Sequence, residues 1–266
     1  MSSKFHARSA DAYDRLMGRW SRVLARPFLE FSGIEAGETI LDVGCGTGSL
    51  TFTIPEVADV AKIKGVDFSE VYVEAARSRN TDPRITIDRG DVCDLKFPDN
   101  AFDRSLGLLV LHFVPESLQA VSEMSRVVKP GGVVAATVWD GYGGMPWQRM
   151  FWDTLAALEP SAVPARGENY FKPMTRPGEM RDVFIRAGLR DVAETTLMIR
   201  MEYENFEDFW SPQAAGEGPQ GKYLAGLEEG KRKALEQAVR AAYEATQPDG
   251  PRSFAAVAWA CRGVVP

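Results

Sequence analysis

The residues most able to do chemistry are two carboxylates that bracket a run of glycines. Asp42 lies in Leu41-Asp-Val-Gly-Cys-Gly-Thr-Gly48, and Asp67 lies 25 positions further on in Gly65-Val-Asp-Phe-Ser69. Gly44, Gly46 and Gly48 carry no β-carbon, so the backbone there can turn sharply and approach a ligand closely. An acid at the end of a second strand-like run suits the hydroxyls of a ribose. The spacing Gly-x-Gly-x-Gly departs from the dinucleotide fingerprint Gly-x-Gly-x-x-Gly, and Ser49 stands where its third glycine would fall. Asp67 is common to both patterns. Asp42 separates them, because a carboxylate there would repel a diphosphate but can accept hydrogen bonds or balance a cationic ligand.

These groups need a frame. Ile40, Leu41 and Val43 make a short apolar run suited to a buried parallel strand, and the helix expected after the glycines offers unpaired N–H groups to a ligand. Further strands are expected at Ala61–Asp67, Ile85–Ile87, Ala101–Val114 and Val133–Trp139, with Ser69 capping a helix after the second. A helix is expected to begin near Pro115 and run over 117–128, closed by Lys129-Pro-Gly-Gly132. Residues 9–33 read as one or two helices, with Pro27 opening the second or kinking a single one. Asp140–Trp147 reads as a flexible, aromatic stretch that leads into a helix carrying Phe151, Trp152 and Leu155. A helix stopped by Gly188, a strand over Val192–Tyr203, a helical piece from Phe206 to Trp210 and a closing strand over Ser253–Cys261 complete the pattern. Between them, Pro212–Gly221 is expected to be a mobile loop and 223–246 one helix with Leu227, Ala234, Leu235, Ala238, Val239, Ala242 and Tyr243 as its buried stripe.

Composition narrows the function. With 266 residues, 45% of them hydrophobic, the chain can bury a full core and fits one elaborated domain. A net charge of −6 gives no global attraction to nucleic acid or to an anionic bilayer. Cys45, Cys93 and Cys261 are widely spaced, with no Cys-x-x-Cys pair or neighbouring histidines to complete a zinc site, so reduced thiols and no metal are expected. No uncharged run approaches the ~18 residues of a membrane helix, and the N-terminus lacks a signal-like apolar core. A cytoplasmic protein is the expectation.

Taken together, Leu41–Gly48, Gly65–Ser69, Gly90-Asp-Val92, Phe97-Pro-Asp-Asn-Ala-Phe-Asp103 and Arg126-Val-Val-Lys-Pro-Gly-Gly132 resemble the class I S-adenosylmethionine-dependent methyltransferases, small-molecule type. The blocks occur in the family's order and cover about two fifths of the chain, from Thr39 to Val138. The resemblance implies an α/β fold: a doubly wound, mostly parallel seven-stranded Rossmann-like sheet with N-terminal helices and an α-helical cap insertion. It implies a single methyltransferase domain over 1–266, with a helical lid at 1–35 and a cofactor-binding core at 36–140. The cap falls at 141–175 and 204–250, and the closing part of the sheet at 176–203 and 251–266. The implied cofactor is S-adenosyl-L-methionine, leaving S-adenosyl-L-homocysteine.

Carried onto this chain, the family's pattern places Asp42, Gly44, Cys45 and Gly46 in the cofactor loop, Asp67 on the ribose and Phe68 against the adenine. Asp91 would accept the adenine amino protons while the Val92 N–H meets a ring nitrogen, and Leu108 would touch the cofactor through its backbone. In the N-terminal segment, Arg19 would pair with the methionine carboxylate, with Tyr13 and Trp20 near the sulfonium. Catalytic candidates are His112, near the opening, and Tyr13, with Asp140 a further group to test as base or orienter.

Methyl transfer asks little of the protein, because the sulfonium is already activated; alignment and desolvation carry most of it. The aromatic stretch after the fifth strand can sit above the cofactor crevice, and suggests an apolar or planar small-molecule acceptor. Nucleic acid and membrane partners are not expected. An NAD(P)-dependent oxidoreductase and a non-catalytic cofactor-binding module remain as the alternatives.

Overall fold

In the structure, a computed structural model that describes residues 9–266, the apolar runs assemble into one seven-stranded sheet. The strands are β1 Thr39–Val43, β2 Lys62–Asp67, β3 Ile85–Arg89, β4 Phe102–Leu108, β5 Val128–Trp139, β6 Arg190–Tyr203 and β7 Arg252–Val264. Their order is β3-β2-β1-β4-β5-β7-β6, parallel except for β7, which runs antiparallel to both β5 and β6. Strand order reverses between β1 and β4. Their carboxyl ends therefore part around a crevice, the position at which open α/β sheets bind ligands.

The helices are α1 Ala10–Tyr13, α2 Arg19–Ser32, α3 Ile54–Val57, α4 Glu70–Arg79, α5 Ser117–Arg126, α6 Pro146–Leu158, α7 Val163–Tyr170, α8 Glu179–Arg186, α9 Phe206–Ala214, α10 Gly218–Ala225 and α11 Glu229–Tyr243. One apolar core lies on the face covered by α2, α6, α7 and α9 to α11, including Leu24, Phe28, Ile40, Phe151, Trp152 and Phe209. A second, on the opposite face, includes Leu41, Val43, Val121, Met124 and Phe184. Alternation along β1 explains the split: Ile40 points one way, Leu41 and Val43 belong to the other layer, and both faces are covered. Among the described residues no helix is long and apolar enough to cross a membrane.

The N-terminal helices form one rod. Ser9 caps α1 by accepting from the Ala12 N–H at 3.2 Å, a π-helical turn over Asp14–Gly18 follows, and α2 continues to Gly33, whose φ of +72° closes it. Pro27 lies inside α2 and neither opens nor ends a helix. The rod is fastened to the sheet by Arg104 of β4, 4% exposed, which donates to the carbonyls of Ser32 and Gly33 and pairs with Glu38 at 2.7 Å. A buried charge needs such complete pairing.

Several boundaries differ from expectation. Segment 212–221 is not a loop: Pro212 lies within α9, and α10 begins at Gly218 with Pro219 in its first turn. Gly216 and Gly218, at φ +87° and +69°, turn the chain between the helices, and Glu217 and Gln220 are buried there. Breakers here end one helix and start the next. The single helix expected over 223–246 is two, α10 and α11, and in α11 Leu235, Val239 and Tyr243 are buried while Ala234 and Ala242 are exposed. α5 stops at Arg126, and Lys129–Gly132 belongs to β5, where the register slips between Phe102↔Val128 and Arg104↔Val133. A bulge absorbs the proline and glycines. No helix starts at Pro115; a 3-10 turn over Leu111–Phe113 precedes α5.

Candidate active site

The glycine loop is bound to the neighbouring strand before any ligand is considered. The N–H groups of Gly44 and Cys45 both donate to the Val66 carbonyl, at 2.7 and 3.0 Å. Gly44 and Gly46 hold φ values of +67° and +55°, which side-chain-bearing residues adopt only under strain. Their surroundings differ. A β-carbon at Gly44 would fall 2.3 Å from Val110, whereas one at Gly46 would meet nothing within 4 Å. Gly46 lines a cavity at the carboxyl ends of β1, β2 and β4, so that empty space is the room left for a ligand.

Asp67 lines the same cavity, held by two backbone donors: Gly46 N–H to Oδ2 and Ser69 N–H to Oδ1, both at 2.8 Å. Burial raises its pKa and the two amides pull it back. Each oxygen keeps a lone pair, enough for two adjacent hydroxyls. Phe68, Val92 and Leu108 line the cavity beyond it as apolar surface. Asp91 does not. Its Oδ1 accepts from the Cys93 N–H at 2.9 Å and shapes its own turn.

Asp42 lies behind the loop, outside the cavity lining and fully buried. Oδ2 accepts from Thr51 Oγ1 at 2.5 Å, and Oδ1 has no partner among the described residues. Desolvation pushes its pKa up to about 7 against the Thr51 hydrogen bond, with the nearby Asp67 charge adding to the rise. Cys45 is buried too. A β-carbon on Gly65 would lie 3.1 Å from its sulfur, so it fills the gap between loop and β2 as a small side chain, and burial holds its thiol protonated.

The remaining N-terminal candidates separate. Tyr13, at the junction of α1 and the π turn, lines the cavity with Leu16 and Met17, its ring 4.9 Å from that of Tyr72. Burial pushes the Tyr13 hydroxyl up to about 12, so it stays protonated near neutrality and can donate but not serve as a phenolate base. Arg19 turns elsewhere: it pairs with Asp208 of α9 at 2.8 Å and lies over the rings of Trp20 and Tyr203. Trp20 is core, packed edge-on against Tyr203. Neither lines the cavity. Asp140 accepts from the N–H groups of Tyr142 and Gly143, at 3.0 and 3.2 Å, and organises the turn after β5.

His112 is in the cavity wall. Leu109, at φ +59°, bends the chain at the end of β4 into the 3-10 turn that carries His112 over the crevice. Such a conformation in a leucine is strained and is held by its surroundings. Nδ1 is buried without a partner among the described residues, and desolvation, followed by the charge of Lys172, holds the imidazole pKa well below its usual value. His112 is neutral near pH 7. Lys172 and Gln220 line the cavity as well, from segments far apart in the chain, as do Trp147 and Gln148 of α6 and Asn169 of α7. Trp147 belongs to the aromatic stretch expected over the crevice, whereas sequence patterns gave no sign of Lys172, Gln220, Gln148 or Asn169. A lone lysine after Tyr-Phe, or a glutamine after Gly-Pro, reads as solvated surface.

Comparison with known proteins agrees with the geometry. Residues 41–136 match the family model described as a methyltransferase domain, a span that includes the glycine loop, Asp67 and His112. Residues 41–136 are thus similar to the methyltransferase domain of that family. It is 35% identical over 128 residues to the demethylmenaquinone methyltransferase of Staphylococcus aureus, covering 46% of this chain and 53% of that one, so it spans about half the length of the curated relatives it matches. Its fold is that of the YcgJ protein from Bacillus subtilis, with a TM-score of 0.58, 16% identity and 91% and 97% of the two chains covered. It is also that of Haemonchus contortus phosphoethanolamine N-methyltransferase 2, solved with S-adenosylhomocysteine, with a TM-score of 0.59, 18% identity and 97% and 57% covered. The fold is shared over nearly the whole chain, while the 35% identity covers about half of it.

Proposed function

We propose that the chain transfers a methyl group from S-adenosyl-L-methionine to a small, apolar or aromatic metabolite. The observation that carries this reading is a single cavity in which Asp67, clamped by two amides, stands beside the open space at Gly46 and faces a wall of aromatic and polar side chains. The residues fit the cofactor: Asp67 for the ribose hydroxyls, Phe68, Val92 and Leu108 for the base, and Gly44 and Gly46 for a close backbone approach. Bound there, S-adenosylmethionine supplies a methyl group on a positively charged sulfur, activated for in-line displacement. The curated relative named for demethylmenaquinone adds weight to an apolar ring as acceptor.

The chain's own residues then bind, orient and exclude water. The rod at 10–32 acts as a lid through Tyr13, Leu16 and Met17, with Tyr13 donating its hydroxyl proton as a hydrogen bond. Thr47 Oγ1 donates to Asp14 Oδ1 at 2.6 Å and Ser49 Oγ to the Gly18 carbonyl at 3.3 Å, closing the π turn onto the glycine loop. His112, neutral, accepts a hydrogen bond from the acceptor and orients its lone pair. Its low proton affinity makes it a weak base. Segments 141–175 and 204–250 form the cap over the acceptor.

Calorimetry tests the reading. The folded chain should bind S-adenosylhomocysteine at micromolar level, and a folded sample that does not bind it would falsify the proposal. Incubation with labelled S-adenosylmethionine and metabolite pools separates an enzyme from a non-catalytic binding module by whether label is transferred. A nicotinamide oxidoreductase is the weaker reading, since Ser49, in place of the third glycine, is committed to the lid. NADH titration followed by fluorescence distinguishes it.

A further inference from the structure

Beyond the cofactor end, the cavity continues into a second one that shares Phe113, Asn169, Lys172, Gly218 and Pro219 with the first. Trp152 of α6 and Tyr223 of α10 line this second space, their rings 5.8 Å apart and nearly perpendicular. Phe113 adds a third ring to its wall, and its charged lining groups are Lys172, Lys222 and Glu168.

Lys172 occupies the junction. Its ammonium lies over the Phe113 ring, 4.4 Å from the centroid, and among the described residues it makes neither an ion pair nor a hydrogen bond. Glu168, which shares the second cavity, is not within ion-pair distance of it. Other sheltered cations have carboxylate partners: Arg104 pairs with Glu38, Arg19 with Asp208 and Lys64 with Asp88. Loss of hydration without a protein carboxylate draws the Lys172 pKa down to about 8, so the group is still mostly charged at neutral pH. A desolvated ammonium held beside a neutral imidazole, with a ring-lined space behind it, is a receptor for an anion attached to an aromatic body.

We propose that the methyl acceptor is an aromatic acid whose carboxylate, or other ionised oxygen, pairs with Lys172 while its rings lie in the second cavity, against the wall that Trp152 and Tyr223 form. This rests on the methyltransferase reading and names the substrate class for the same site. Lys172 contributes charge recognition and His112 the hydrogen bond to the nucleophile. The acceptor then spans both cavities, its reacting atom toward Gly46 and Asp67.

The test uses the full chain saturated with S-adenosylhomocysteine, with 3-hydroxy-2-naphthoate and its neutral amide as probes, compared by calorimetry at pH 7. A charge-assisted pair predicts that the acid binds about ten-fold more tightly than the amide. Lys172→Gln should reduce that ratio to about one, and Lys172→Arg should keep it. Equal affinities in the wild-type chain, no measurable binding of the acid, or a ratio unchanged in Lys172→Gln would each overturn the proposal. S-adenosylhomocysteine binding, measured first in each variant, reports folding. Its absence in the wild-type chain is a failure of the methyltransferase reading, distinct from a failure of acid recognition.

Discussion

On the β1–β2 side of the cavity the polar groups are backbone amides and one carboxylate that those amides hold. On the cap side they are side chains: His112 on a 3-10 turn, Gln148 on α6, Asn169 and Lys172 around the end of α7, and Gln220 on α10. The first wall is assembled from residues 44–69, so its geometry follows from a few consecutive dihedrals and two hydrogen bonds. The second gathers groups over a hundred positions apart and depends on how the helices pack. A wall of the first kind holds a constant ligand, and one of the second can be refitted to a new acceptor without disturbing it.

Substitutions on the two sides should therefore separate binding from recognition. The largest effect is expected for Asp67→Ala. Losing two charge-assisted hydrogen bonds, each worth roughly 1.5–3 kcal/mol, should weaken S-adenosylhomocysteine at least about 100-fold by calorimetry. Retained affinity would mean that the carboxylate is not what holds the ligand.

Asp42 tests the same wall from behind. Its pKa is raised on folding, from 3.8 to about 7, so the stability it contributes is complete below pH 3.8 and is lost as pH rises through 7. Asp42→Asn removes that loss. Its melting temperature relative to wild type should climb between pH 4 and pH 7.5, with an upper bound of about 4 kcal/mol. A difference that stays flat across this range would show that the carboxylate is not desolvated.

Gly46→Ala is the sharper probe of empty space. With nothing within 4 Å of the added carbon, it should cost only about 1 kcal/mol of stability for its positive φ, yet weaken S-adenosylhomocysteine about ten-fold. Gly44→Ala, which drives a carbon against Val110, should lose both stability and binding. Equal behaviour of the two variants would deny that the loop has an open and a packed side.

The smallest effect belongs to Arg19→Met. The Arg19–Asp208 pair is part-exposed and joins α2 to α9, so its loss should cost about 1 kcal/mol by chemical denaturation and leave cofactor affinity within about two-fold. A large loss of affinity would return Arg19 to the cofactor site.

How much could be read in advance follows the same division. The positions of the strands along the chain, the loop and the place of Asp67 were legible because glycine spacing and apolar runs are local signals, whereas the doubly wound sheet came from the family resemblance. Arg19 beside Trp20 reads equally well as a ligand clamp; its partner, Asp208, stands 189 positions away. Segment 212–221 is rich in breakers, and composition alone does not tell a mobile loop from a tight corner between two helices whose polar residues are buried. Lys172 gave no signal at all. Its importance comes from what does not surround it.

Residues close in the chain were enough to specify a parallel strand, a sharp glycine turn and an acid at the next strand's end, because backbone sterics and short-range hydrogen bonding decide those features wherever they occur. Packing alone chose which acid would be buried out of reach, which arginine would serve as a latch, and which lysine would face a ring-lined chamber without a counter-ion among the described residues. Burial, desolvation and the absence of a partner are properties of an environment, and that environment exists once distant helices have met.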